Sequence, residues 1–330
     1  MGIGHLVVRF FVLGVFAFAT TAAVSQTISV TSPDPQLNNV VSAPTGDTIF
    51  TISPSTGAVT VTGGTGYRVS PGTTRAVVTL TCPNVGACNT KDVDVTISAV
   101  GSPTKRARAL TNFTVANGTA TVKVPPGVTG TNPITFQLNP IGRSATKYFY
   151  LAMDFPIAGD NSGLPTGVAT SDFLINATAA SVNISANGQA RATVFRPITI
   201  GLTSNLSFGT ISRPFAGNGT VSLDSATGDR TLTGQGVQAI LASPVRATYT
   251  VSGEGGQVFS ISVPPTFTMA GATDNLTVTT NNDAAGLQIL SGSLGSAGSR
   301  AFHVGGSFPV TSTTGLGNYT GSFAVTVQYN

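Results

Sequence analysis

Tryptophan is missing from the 330 residues, histidine and cysteine each occur twice, and 8% of the residues are charged. With no tryptophan and only six tyrosines, the usual aromatic platform for stacking sugar rings or bases is not provided. His303 is the only histidine after His5, and it sits in a strand-like stretch between Phe302 and Val304. It reads as a structural or surface residue rather than a general base. Glu254 is the sole glutamate; set among Gly253, Gly255 and Gly256, it reads as a turn residue. The aspartates are dispersed. Asp224 and Asp229 flank one expected turn and Asp92 and Asp94 share a strand face, with nothing to single out a glycosidase pair. Asp160 with Asn161, and Asn281, Asn282 and Asp283, offer oxygen ligands, but no acidic loop has calcium-site spacing. The glycine-rich passages at 63–66 and 253–256 lie in expected hairpins and open no helix, so neither is a phosphate loop. Two cysteines without a nearby histidine make a poor metal site. The formal charge of +4 is scattered apart from Lys105, Arg106 and Arg108, a trio that reads as a solvated turn, with contact to an anionic surface glycan as the alternative. The expectation is a non-enzyme without cofactor, metal or nucleic-acid partner.

What is present begins with an export signal. His5 and Arg9 give a positive start, residues 6–18 form an apolar run, and Ala23-Val24-Ser25 before Gln26 carries the small residues a signal peptidase accepts. Residues 1–25 are therefore expected to be a signal peptide, the run being shorter than the roughly 20 residues of a membrane span. An exported chain with Cys82 and Cys88 six apart is expected to close one disulfide, a clip between strand ends. So short a loop contributes roughly 2 kcal/mol. The remainder is rich in Thr, Ser, Val, Gly and Asn, which favours many short strands joined by turns.

The chain repeats itself. Residues 50–63 (FTISPSTGAVTVTG) match residues 221–234 (VSLDSATGDRTLTG), 171 positions on, and the same offset places 75–80 (RAVVTL) on 246–251 (RATYTV). Residues 149–157 (FYLAMDFPI) match 302–310 (FHVGGSFPV), Gly163-Leu164 matches Gly315-Leu316, and 170–175 (TSDFLI) matches 320–325 (TGSFAV). Each copy reads as strand, tight Thr-Gly turn, strand, longer loop, strand. Further strands are expected at 93–97, 112–115 and 134–138, with turns at Pro125-Pro126-Gly127 and Asn139-Pro140-Ile141-Gly142. This pattern predicts an all-β chain of two tandem immunoglobulin-like β-sandwiches: residues 26–178, carrying the disulfide, and residues 197–330. Between them, 179–196 alternates at Ala180, Val182, Ile184 and Ala186 until Asn187-Gly188 breaks the run.

The last stretch, residues 317–330 (GNYTGSFAVTVQYN), places Tyr319, Phe323, Val325, Val327 and Tyr329 on one parity, the pattern of a half-buried strand. A closing strand of this kind, with a penultimate tyrosine and Gly317 fourteenth from the end, resembles the C-terminal motif of chaperone-usher pilins. Residues 198–330 also resemble a family of secreted bacterial domains of unknown function related in pattern to the spore coat protein U and pilin group. That likeness is carried by Pro197-Ile198-Thr199-Ile200, Asn205-Leu206-Ser207-Phe208-Gly209-Thr210-Ile211, Ser225-Ala226-Thr227-Gly228, Val251-Ser252-Gly253-Glu254, Phe302-His303-Val304-Gly305-Gly306 and Gly317-Asn318-Tyr319-Thr320-Gly321-Ser322-Phe323.

The resemblance implies that Gly317, Tyr319, Phe323, Val325, Val327 and Tyr329 form a strand-pairing interface for a periplasmic chaperone or a neighbouring fibre subunit. It further implies that 179–196, through Val182 and Ile184, completes the first sandwich within the chain. The chain would then be exported through the periplasm to the bacterial surface as a fimbrial or adhesive subunit, placed at a tip because its beginning has little to donate. A receptor or surface glycan would be its outer partner. The second copy departs from the pilin pattern in having no cysteine. The alternative reading is a secreted envelope or ligand-binding sandwich that does not polymerise.

Overall fold

The computed structural model describes residues 27–31, 35–70, 75–124 and 128–330. The expected signal peptide, and the expected turn at Pro125-Pro126-Gly127, lie outside the described residues. The described chain is all β. Its first copy runs β1 (Thr27–Thr31), β2 (Gln36–Val41), β3 (Thr48–Ile52), β4 (Val59–Gly63), β5 (Tyr67–Arg68), β6 (Ala76–Thr81) and β7 (Val93–Val100). It continues with β8 (Thr111–Asn117), β9 (Val122–Val124), β10 (Thr129–Gly130), β11 (Ile134–Leu138), β12 (Thr146–Ile157), β13 (Gly167–Ala179) and β14 (Val182–Phe195). The second copy opens with β15 (Thr199–Ser204), β16 (Thr210–Ile211), β17 (Asn218–Leu223), β18 (Arg230–Thr233), β19 (Ala239–Leu241) and β20 (Ala247–Glu254). It closes with β21 (Val258–Ser262), β22 (Thr266–Ala270), β23 (Asn275–Asn282), β24 (Gln288–Ile289), β25 (Ala297–Thr311) and β26 (Thr326–Tyr329).

The repeat is visible at the level of paired residues. Strand β12 is the common partner of β6, β3 and β8, as β25 is of β20, β17 and β23. Phe149 faces Val78 and Phe155 faces Phe50; at the corresponding places Phe302 faces Tyr249 and Phe308 faces Val221. The Thr-Gly turns match too. The Ser53 N–H bonds to the Ala58 carbonyl at 2.8 Å, and the Asp224 N–H to the Asp229 carbonyl at 3.0 Å. Each turn is held by the arginine that opens the next matching strand. Arg75 donates to the Pro54 carbonyl at 2.7 Å and to that of Ser55, and Arg246 to the Ser225 carbonyl at 2.8 Å and to that of Ala226. Carbonyls left over by a tight turn need donors, and a guanidinium supplies several in one plane. Arg75 also lies 3.4 Å from the centre of the Tyr150 ring.

The first copy packs its two sheets around one continuous core that includes Phe50, Phe113, Phe149, Phe155 and Phe173, all fully buried. Alternation produces this: along β13 every second residue from Gly167 to Ala179 is buried and the intervening ones are partly exposed. Cys82 and Cys88 form a disulfide (Cα–Cα 5.8 Å) linking the end of β6 to the turn before β7. The second copy has two smaller cores. One gathers Val251, Phe259, Leu290, Phe302, Val304 and Tyr329 with Val41 and Phe195 of the first copy; the other gathers Phe208, Val221, Leu223, Met269, Leu276, Val278, Phe308 and Val310.

Three expectations are corrected here. Arg106 is not on a solvated turn: its side chain is 2% exposed and donates to the Leu164 carbonyl (2.9 Å), Ser42 Oγ (2.6 Å) and Asp160 (2.5 Å). A buried guanidinium is tolerated because its donors are met. Glu254 is no turn residue; it ends β20, fully buried between the copies. The Asn187-Gly188 pair does not break its strand, since β14 runs through it to Phe195.

Candidate strand-pairing site

In the first copy the second sheet is continuous, in the order β5-β2-β14-β13-β7-β11-β9. Strand β14 pairs with β13 antiparallel from Val182 to Val194 and with β2 in parallel. Among the described residues, the second copy has the same sheet in two pieces, β19-β16 and β26-β21-β24. The small piece matches β5-β2 in register: Val40 faces Arg68, and Ile211 faces Ala239, each 171 positions on. The larger piece matches β13-β7-β11. What lacks a counterpart is β14, and its place lies between β16 and β26.

Part of the vacant place, beside β16, is a groove of about 470 Å³ whose walls are both apolar (Leu206, Phe208, Met269, Leu276, Phe308 and Val310) and polar (Ser207, Thr210, Ser212 and Arg213), with residues 314–320 on its other side. Its apolar wall belongs to the second small core, and Leu206 packs against both. The burial of matching residues registers the vacancy. Phe173, Ile175 and Ala177 of β13 are fully buried, whereas Phe323, Val325 and Val327, 150 positions on, are only partly buried. The Asn330 N–H bonds to the Val258 carbonyl at 3.1 Å. Alternation along an antiparallel pair therefore turns the main-chain groups of Val327 and Tyr329 away from β21, toward the side that β14 takes in the first copy.

The expected closing strand is shorter than its alternation suggests. Only Thr326–Tyr329 is strand, paired with β21. Residues 321–325 are extended without a ladder because β21 stops at Ser262, just before Pro264-Pro265, where proline has no N–H to give. Upstream, Thr320 exchanges main-chain hydrogen bonds with Ala270 (2.8 and 3.1 Å). The Tyr319 hydroxyl donates to Asp274 and lies 2.9 Å from the Gly315 carbonyl. Hydrogen bonds from that hydroxyl and from the Gly315 N–H hold the Asp274 carboxyl below its ordinary range. Gly317 has φ +135°, and Gly167, its counterpart in the first copy, has φ +99°. Both lie where a side chain is strained.

Tyr329 departs most from the expectation. It does not face the groove openly; it is 8% exposed and packed on Phe195 with ring centres 5.8 Å apart. Its hydroxyl donates to the Arg196 carbonyl (3.0 Å) and accepts from the Glu254 N–H (2.6 Å). Burial pushes the phenol up to about 12, since a phenolate would be desolvated there. Beside it the Glu254 carboxylate accepts from Thr166 Oγ1 (2.9 Å), the Gly295 N–H (2.5 Å), the Arg196 N–H (3.2 Å) and Arg196 Nη1 (3.0 Å). One carboxylate thus ties the end of the first copy to the second, each lone pair met.

In β14, Val182 is 39% exposed and Ile184 partly buried against the first core. The residues of this strand that reach deepest are Ala190, Ala192 and Val194, beyond the stretch singled out from sequence. Sequence reasoning also missed the groove lining of Met269, Leu276, Phe308 and Val310. The available signal was the matching of 302–310 to a known strand of the first copy.

Residues 198–329 match a family described as a domain of unknown function, DUF4402. No curated protein matches the chain. Two solved structures align along most of it. One is described as a chaperone–tip adhesin complex vital for synergistic activation of CFA/I fimbriae biogenesis, with 12% identity and TM-score 0.22 over 91% of this chain and 98% of the other. The second is a mutant of the CFA/I adhesin CfaE of enterotoxigenic E. coli, with 12% identity and TM-score 0.23 over 91% and 94%.

Proposed function

We propose that the chain is an exported surface-fibre or adhesive subunit whose second sandwich takes up a β-strand from a partner, a periplasmic chaperone or a neighbouring subunit. The observation that carries this reading is the split sheet: the place filled by β14 in one copy has no strand between β16 and β26 among the described residues of the other, and a groove lies there between β16 and the segment 314–320 that leads to β26. Strand addition would supply main-chain partners for the groove-side groups of β26 and cover the half-buried Phe323, Val325 and Val327. An apolar edge left open is an association hazard, which is the physical reason for an escort during export. The first sandwich, complete and clipped by its disulfide, would be the outward, receptor-facing part.

The test is hydrogen exchange on the chain alone and after co-production with a periplasmic pilus chaperone. The amides of Val327 and Tyr329, which face away from β21, should exchange rapidly alone and become protected in a stable complex. A lone monomer in which both are already protected overturns the proposal and favours a sandwich that does not polymerise.

A further inference from the structure

The first copy indicates what kind of strand the groove takes. In β14 the residues facing the core are Ile184, Ala186, Gly188, Ala190, Ala192 and Val194, nearly all small. The smallness is enforced. Gly188 lies opposite Phe173, and a Cβ added there would fall 2.1 Å from the ring. Phe323 is the counterpart of Phe173; it packs on Phe267 with ring centres 4.9 Å apart. Ala186 faces Ile175 and Ile184 faces Ala177, whose counterparts are Val325 and Val327. Since Val327 is larger than Ala177, the room opposite it is less than Ile184 enjoys. On the β16 side, Arg191 and Thr193 of β14 pair with Gln36 and Asn39, which correspond to Ser207 and Thr210.

From this correspondence, and resting on the strand-accepting reading, we infer that the groove selects a strand with alanine or glycine at alternate inward positions and glycine opposite Phe323. The strand enters antiparallel to β26 and parallel to β16. Its outward positions are polar, as Asn183, Ser185, Asn187, Gln189, Arg191 and Thr193 are in β14. Large inward residues would overpack a groove whose walls already carry Phe208, Phe308, Met269 and Leu276.

The experiment uses the full chain and a synthetic peptide of residues 182–195 (VNISANGQARATVF), with three comparison peptides: G188V, A190L with A192L, and a scrambled sequence. Binding is read by calorimetry and by exchange protection of 321–329. The parent peptide should bind and protect the segment, with G188V and the double leucine peptide at least about tenfold weaker. If a leucine or valine peptide binds as well as the parent or better, the small-residue rule is overturned while strand acceptance stands. If only the scrambled peptide matches the parent, the inference fails for want of register. If no peptide binds and 321–329 is already protected in the free chain, the strand-accepting reading fails and the inference with it.

Discussion

Strand β13 and the closing stretch 317–329, which ends in β26, share one pattern and meet different fates. Both turn alternate apolar residues inward, both begin with a glycine at positive φ, and each is touched by a main-chain hydrogen bond shortly after that glycine, at Thr104 with Thr170 and at Ala270 with Thr320. β13 is flanked on both sides and buries Phe173 and Ile175 completely. Among the described residues β26 is flanked on one side, and Phe323 and Val325, just before it, stay partly exposed. Identical patterning therefore does not fix burial; the neighbouring strand does. An alternating apolar strand is a request for cover, and only the sheet around it shows whether the request is met from within.

The sharpest test of this contrast is a matched pair of charges. Ile175→Asp should unfold the first copy, at a cost of more than about 4 kcal/mol for an unpaired buried carboxylate. Val325→Asp, at the equivalent position, should stay folded with a loss within about 1 kcal/mol, as read by denaturant melts of each variant. Next in size, Glu254→Ala should cost about 3 kcal/mol by stranding the Arg196 guanidinium and the donors around it. Its mark is that both copies are affected, visible as faster exchange at Thr166 and Gly295 together. Removing the Cys82–Cys88 bridge by Cys82→Ser with Cys88→Ser should cost about 2 kcal/mol. Separate probes should place that loss in the first copy alone.

A smaller effect appears in alkali. The Tyr329 phenol, raised by burial from its ordinary 10.0 to about 12, contributes stability that is complete below pH 10 and is lost as the pH rises toward 12. In ultraviolet difference titration Tyr329 should give the last tyrosine step, and Tyr329→Phe should remove that step. The first copy has Ala179 at the matching place. Smallest is the comparison of the two turn clamps. Arg75→Ala should cost roughly 0.5–1 kcal/mol more than Arg246→Ala, because only Arg75 also covers a tyrosine ring.

Much of the fold was legible because duplication supplies its own alignment: the matched segments, 171 positions apart early in each copy and 150 to 153 apart later, pair the strands of one copy with those of the other. The disulfide was legible from compartment and spacing. The roles of Arg106 and Glu254 were not, because both look like loop residues locally and become buried only through segments distant in sequence. Glu254 meets Thr166 and Arg196 from the other copy, and no periodicity encodes that encounter. The shortness of β26 was written in Pro264-Pro265, but its effect falls on a strand some sixty residues later. The groove itself is a relation between β16, the segment 314–320 and residues such as Met269 and Phe308, so its walls could not be read from any one stretch alone.

Tyr329 gives the open strand a mechanical meaning. A strand bound beside β26 would lie antiparallel to it, so a pull along that strand loads the ladder in shear, with its hydrogen bonds resisting together rather than one at a time. The load would pass from β26 through the Tyr329 hydroxyl to the Arg196 carbonyl and the Glu254 N–H. Traction on the second copy would thus reach the first through a short, buried coupling, and the tandem would answer tension as one lever.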